Sequence, residues 1–151
     1  MKKTVLLLLV LLSAMLSVSC SDGGEAQSVA RELYGNCAEA GMYEKSASEG
    51  ESGYISEERL CELYGKAAGC REMGYIGDYC IIYSRRQTVR EVHVLRAYTE
   101  SECRELAAML ERRAELLTKG EYVPAGGTLF GTKASTVKVE TRGRLAILVA
   151  G

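Results

Sequence analysis

A single histidine, a single proline and no tryptophan stand among the 151 residues of the chain. With one imidazole and neither a CxxC nor an HExxH spacing, the clustered ligands that a zinc site requires are missing, so no metal is expected. No GxSxG, P-loop or dinucleotide fingerprint occurs, which removes the usual signatures of serine hydrolases, nucleotide hydrolases and nicotinamide or flavin enzymes. No cofactor is expected either. The Gly126-Gly127 pair lacks the strand-to-helix setting that cradles a phosphate. An excess of positive charge is also absent, since 19 Lys and Arg stand against 20 Asp and Glu. A general affinity for nucleic acid is therefore not expected.

No apolar run is long enough to span a bilayer, which takes roughly 20 mainly apolar residues. The longest, Val5 to Leu12, extends through Ser13, Ala14, Met15 and Leu16 and then gives way to polar residues. Preceded by Lys2 and Lys3, it has the layout of a signal peptide over residues 1–19. Leu16-Ser17-Val18-Ser19-Cys20 resembles a bacterial lipobox, in which small residues precede a cysteine that receives a diacylglycerol before cleavage in front of it. The family pattern prefers a branched apolar residue where this chain has Ser17. Ser17 and Ser19 also suit an ordinary signal peptidase, which would release a soluble protein beginning with cysteine.

The lipid-anchored reading makes residues 20–25 a short tether. From Ser21 to Glu25 it reaches about 17 Å when extended. Several acyl chains hold a protein on a membrane far more firmly than one, so the domain is expected at the outer, extracytoplasmic face of the cell membrane, close to the bilayer. Cleavage removes Lys2 and Lys3, leaving 17 basic residues against 20 acidic ones and a net charge of −3. The remaining 132 residues suffice for one domain with a single core, expected over residues 26–151.

Six cysteines are present, and setting Cys20 aside leaves Cys37, Cys61, Cys70, Cys80 and Cys103. Cys37 and Cys103 fall on apolar faces of expected helices and Cys80 in an apolar strand, where each packs as a small hydrophobe. Cys61 and Cys70 flank a glycine-containing turn. In an oxidising compartment they are the expected disulfide, although spacing alone does not determine connectivity.

Ala26, Val29, Ala30, Leu33, Cys37 and Ala40 carry helical spacing and predict a helix ending at Gly41. Lys45 to Gly53 reads as a loop, and Ser56 caps a short helix from Glu57 to Tyr64. Tyr79 to Ser84 and Val89 to Ala97 predict a hairpin. Thr99 and Glu102 form a capping box, followed by the stripe Cys103, Leu106, Ala107, Leu110, Ala114 and Leu117 up to Gly120. Thr136 to Thr141 and Leu145 to Ala150 predict a second hairpin about Arg142-Gly143, with the nearly all-apolar second arm the more central strand. The expected fold is α+β, an antiparallel sheet of about four strands in two hairpins with helices covering one face.

Glu91-Val92-His93-Val94-Leu95-Arg96, a helix closing on Glu111-Arg112-Arg113, Tyr122-Val123-Pro124 and the final hairpin around Gly143 together resemble a family of small bacterial lipoproteins, the domain of unknown function numbered 4358. The resemblance runs from about Ala26 onward, is weak over residues 27–74 and is strongest from Glu91 to the end. It implies a lipoprotein and brings no activity and no site residues with it.

A cysteine nucleophile needs a base, and only His93, whose expected place is the sheet surface, is offered. Its furthest reach is Cys80 across the first hairpin. Arg85, Arg86 and Arg90 at one hairpin tip and Arg142 and Arg144 at the other would meet anionic lipid or wall polymer together if both tips point the same way; otherwise they are solvated turns. Nine tyrosines are scattered rather than grouped into a groove. The expected function is a non-enzymatic binding or scaffold module whose partner is an envelope protein or polymer, with no catalytic residue assigned. The rival reading is a thiol-dependent envelope enzyme or redox protein using Cys61, Cys70 or Cys80. A transporter's capture protein usually needs two lobes, and one is present.

Overall fold

The computed structural model describes residues 24–86, 88–126 and 131–151. The signal peptide and Cys20 lie outside the described residues. The chain folds as helix α1 (Glu25–Tyr34), strand β1 (Ala40–Glu44), helix α2 (Glu57–Leu63), a 3-10 turn (Arg71–Tyr75), strands β2 (Ile76–Ser84) and β3 (Glu91–Ala97), helix α3 (Glu100–Lys119), and strands β4 (Val137–Arg142) and β5 (Leu145–Ala150). The fold is α+β. One sheet of five antiparallel strands runs in the order β1-β2-β3-β5-β4.

The fifth strand is β1, and it replaces the expected end of the first helix. Gly35 takes φ 77°, its N–H closes on the Arg31 carbonyl, and the Asn36 side chain accepts from the Ala38 N–H, so the chain turns there rather than at Gly41. Cys37 and Ala40 keep helical spacing by coincidence. A glycine inside a helix costs about 1 kcal/mol relative to alanine and readily accepts positive φ. Gly41, now inside a strand, lies opposite Tyr83, whose ring covers it so closely that any Cβ would overlap it.

Helices cover both faces of the sheet, not one. On one side α1 lies on β2 and β3, where Ala26, Ala30 and Tyr34 bury against Cys80, Ile82, Val92, Val94 and Ile147. On the other side α3, with α2 beside it, covers β3, β4 and β5, and Leu106, Met109, Leu110 and Leu117 meet Ile81, Leu95, Ala146 and Leu148. Two-sided burial explains why β5 is nearly all apolar: it lies between β3 and β4, as its composition predicts, and has no solvent face. The capping box at Thr99 and Glu102 is formed, and Gly120 ends α3 in the left-handed conformation. Ser56 caps α2 as expected. Gly143, at φ 57°, makes the tight turn of the β4-β5 hairpin.

Candidate functional site

Alternation along β3 sends Val92 and Val94 toward α1, and Glu91, His93 and Leu95 toward α3. A half-exposed strand would leave that second row in water. Here α2 and α3 close over it, so His93 is fully buried rather than at the sheet surface and Glu91 is nearly so. Arg113 brings the counter-charge. It follows Leu106 and Leu110 on the inward stripe of α3, and its side chain is also fully buried.

The four groups close into one network. Arg113 Nη2 donates to both Glu91 carboxylate oxygens at 2.7 and 2.9 Å, and its Nε donates to Oε2 at 3.1 Å. Its Nη1 donates to the backbone carbonyls of Leu63 and Val123 at 3.0 and 2.7 Å. His93 Nε2 lies 2.9 Å from Glu91 Oε2, and its Nδ1 lies 2.9 Å from the Tyr64 hydroxyl. Because a carboxylate only accepts, Nε2 carries the proton, and Nδ1 accepts from Tyr64. Four segments, β3, the end of α2 at Leu63 and Tyr64, α3 and the loop at Val123, are thereby fixed by directional bonds.

Electrostatics follow from this geometry. Burial pushes the Glu91 carboxyl upward, but the His93 hydrogen bond and the Arg113 guanidinium outweigh it and hold the group down at about 2. Burial is the chief cause that keeps His93 neutral, with its pKa below the ordinary 6.5 despite Glu91 beside it. Burial also raises the Tyr64 hydroxyl well above its usual range. With both ring nitrogens engaged and no exposed surface, His93 has no atom left for a substrate. The network can position elements and cannot act as a general base on anything outside the core.

The thiols divide in the same way. His93 pairs with Ile81, and Cys80 with Val94, so imidazole and Cys80 point to opposite faces of the sheet and the suggested contact is not made. Burial pushes Cys80 up to about 12 and Cys103 upward as well, the reverse of an activated nucleophile. Cys37 follows the end of α1 and donates its thiol to the Gly35 carbonyl at 3.2 Å. Cys61 and Cys70 are brought together, as free thiols with sulfurs 3.2 Å apart. Burial, with Cys61 beside it, pushes Cys70 up to about 11.

The two arginine-bearing tips do not form one surface. Glu91 pairs with Ala150 and Arg96 with Leu145, so the Arg85–Arg90 tip and the Arg142–Arg144 tip lie at opposite ends of the sheet. At the first tip a recess of about 760 Å³ opens between the end of α1, the β2-β3 hairpin and the segment around Lys133. Sequence reasoning missed this recess, because the end of α1 and residue 133 join the hairpin only through the tertiary fold. The sequence signal for the buried network was a charged residue, Arg113, at a core position of an apolar stripe.

Among the described residues no group of three or more His, Cys, Asp or Glu is placed to hold a metal ion, and no helix is long and apolar enough to cross a membrane. No family model, curated protein or solved structure matches the chain.

Proposed function

We propose that the chain is a bacterial lipoprotein held at the outer face of the cell membrane through an acylated Cys20, and that its domain is a non-enzymatic binding or scaffold module for an envelope protein or polymer. The observation that carries the non-enzymatic half is the inward closure of the Glu91-His93-Arg113-Tyr64 cluster, in which every polar group suited to acid-base chemistry is spent on another. The upward shifts of Cys70 and Cys80 weigh against the thiol-dependent alternative. The tether half rests on the sequence around Cys20 and on the resemblance of residues 91–151 to the lipoproteins of domain 4358.

Substituting Cys20→Ala and fractionating the cells tests the anchor. The parent protein is expected in the membrane fraction and the variant outside it, while a variant that stays membrane-bound as before counts against acylation at that thiol. Titrating the thiols of the purified protein tests the other half: inert or paired cysteines are expected, and one fast-reacting thiol of depressed pKa would favour the enzyme.

A further inference from the structure

We propose that the recess at the β2-β3 hairpin tip is a binding site for a phosphate-bearing ligand, gripped by Arg86, Arg90 and Lys133 and turned away from the bilayer. Its volume of about 760 Å³ lies in the range of small-ligand sites. Among its side chains, Tyr34 aside, the titratable lining is Arg86, Arg90, Lys133 and Glu39, three cations to one anion, with the main chain of Gly151 at its edge, in a chain whose acidic residues outnumber its basic ones.

Two of the cations, Arg90 and Arg86, are held in place. The Arg90 guanidinium stacks 4.5 Å over the Tyr34 ring and donates to the Tyr34 carbonyl at 2.6 Å, capping the negative end of α1. That leaves part of its donor fork available. Ser84 Oγ accepts from the Arg86 N–H and the Thr88 hydroxyl, which shapes the tip. Arg86 pairs with Glu39 at the rim. One side-chain carboxylate thus occupies one cation and leaves Arg90 and Lys133 without an acidic side chain as partner among the described residues of the recess, an arrangement that suits a ligand of higher charge density, and arginine forks with a lysine point charge suit phosphate.

An independent observation comes from the neighbouring space. A small cavity of about 20 Å³ adjoins the recess through Ser84, Arg86, Thr88, Val89 and Arg90 and is also bordered by Glu91 and Tyr122. The Tyr122 hydroxyl is buried and has no hydrogen-bond partner among the described residues. One ligand oxygen or one water is enough to fill such a space and satisfy it.

The orientation rests on the tether proposed above. Helix α1 begins where the Ala26 N–H meets Asp78 and ends where Tyr34 meets Arg90. Asp78 pairs with Arg96, at the far end of the β2-β3 ladder from Ser84. Ten helical residues span about 15 Å, so a tether leaving Gly24 holds one pole to the membrane and presents the recess at the other.

The test uses full-length protein in neutral detergent, titrated calorimetrically with inorganic phosphate and short poly(glycerol phosphate), alongside vesicles of phosphatidylglycerol. Binding of a soluble probe is expected, weakened about tenfold by Arg86→Ala or Lys133→Ala and by raised salt. Glu39→Gln is expected to tighten it severalfold, a gain that a damaged fold does not produce. No binding of either soluble probe, or binding indifferent to Arg86→Ala and Lys133→Ala, overturns the site. Vesicle binding that depends on Arg86 and Lys133 overturns the orientation. The Cys20→Ala protein separates the two proposals: retained probe binding with lost membrane association supports both, an unacylated natural protein that still binds the probe removes only the tether, and an acylated one that binds no probe removes only the site.

Discussion

Helix α1 meets the middle of its face of the sheet through apolar contact, Ala26 and Ala30 against Ile82, Val92, Val94 and Ile147, and its polar contacts to the strands lie near its ends, at Asp78 and Arg90. The opposite face has a larger apolar core, but through its middle runs an ion pair with an imidazole and a phenol attached. Apolar contact is proportional to area and tolerates small slides. Hydrogen bonds to a fixed carboxylate do not, so the α3 side is set in one register, joining α2 through the Leu63 carbonyl and the following loop through that of Val123. Such a pair need not add net stability, because desolvating two charges offsets much of their attraction; losing one partner is what costs.

The largest effect is therefore expected from Arg113→Met, which strands Glu91 in the core. A loss of about 3–5 kcal/mol is expected in urea denaturation. Replacing both partners, Glu91→Leu with Arg113→Met, is expected to recover much of it. A single variant as stable as the parent would remove the distinction between the faces.

Acid comes next. The folded state holds Glu91 below its ordinary 4.5, so its stabilisation is complete above that pH and is lost as pH falls toward about 2. His93 is held below 6.5, so the unfolded chain takes up that proton first and stability again falls as pH drops below 6.5. The Glu91 contribution is about 3 kcal/mol. Denaturation midpoints from pH 7 to pH 3 should fall steeply for the parent and less steeply for Glu91→Gln, and parallel curves would contradict the network's role.

A smaller effect is expected at Cys61 and Cys70, on the α3 side. Oxidised glutathione is expected to join them, two thiols losing two electrons and two protons as the reagent is reduced to two thiols, while Cys80 stays unreacted on the α1 side. Closure of so short a loop should add about 2 kcal/mol. Mass spectrometry of peptides from the unreduced protein would show the link; a mixed disulfide at Cys80 instead would break the contrast between faces.

Much of this architecture was legible in the sequence. The capping box at Thr99, the stripe of α3, the two hairpins and the inner position of β5 follow from local chemistry and period. What failed did so because tertiary contacts overrode local pattern. Cys37 and Ala40 fit a helix that Gly35 and Asn36 end, and β1 exists because β2 offers Ala40–Glu44 an edge to pair with. His93 and Glu91 alternate with valines as solvent-facing residues do, yet α2 and α3 cover them. The recess joins Tyr34, Arg90 and Lys133, which are far apart in sequence and have no local motif in common.

Attachment of this domain to a membrane is tested most directly by intact-mass analysis of the natural protein, with peptide mapping of its amino terminus. The expected result is a chain beginning at Cys20 with a diacylglyceryl group on its sulfur. A chain beginning at an unmodified Cys20, or one that retains residues 1–19, would contradict it.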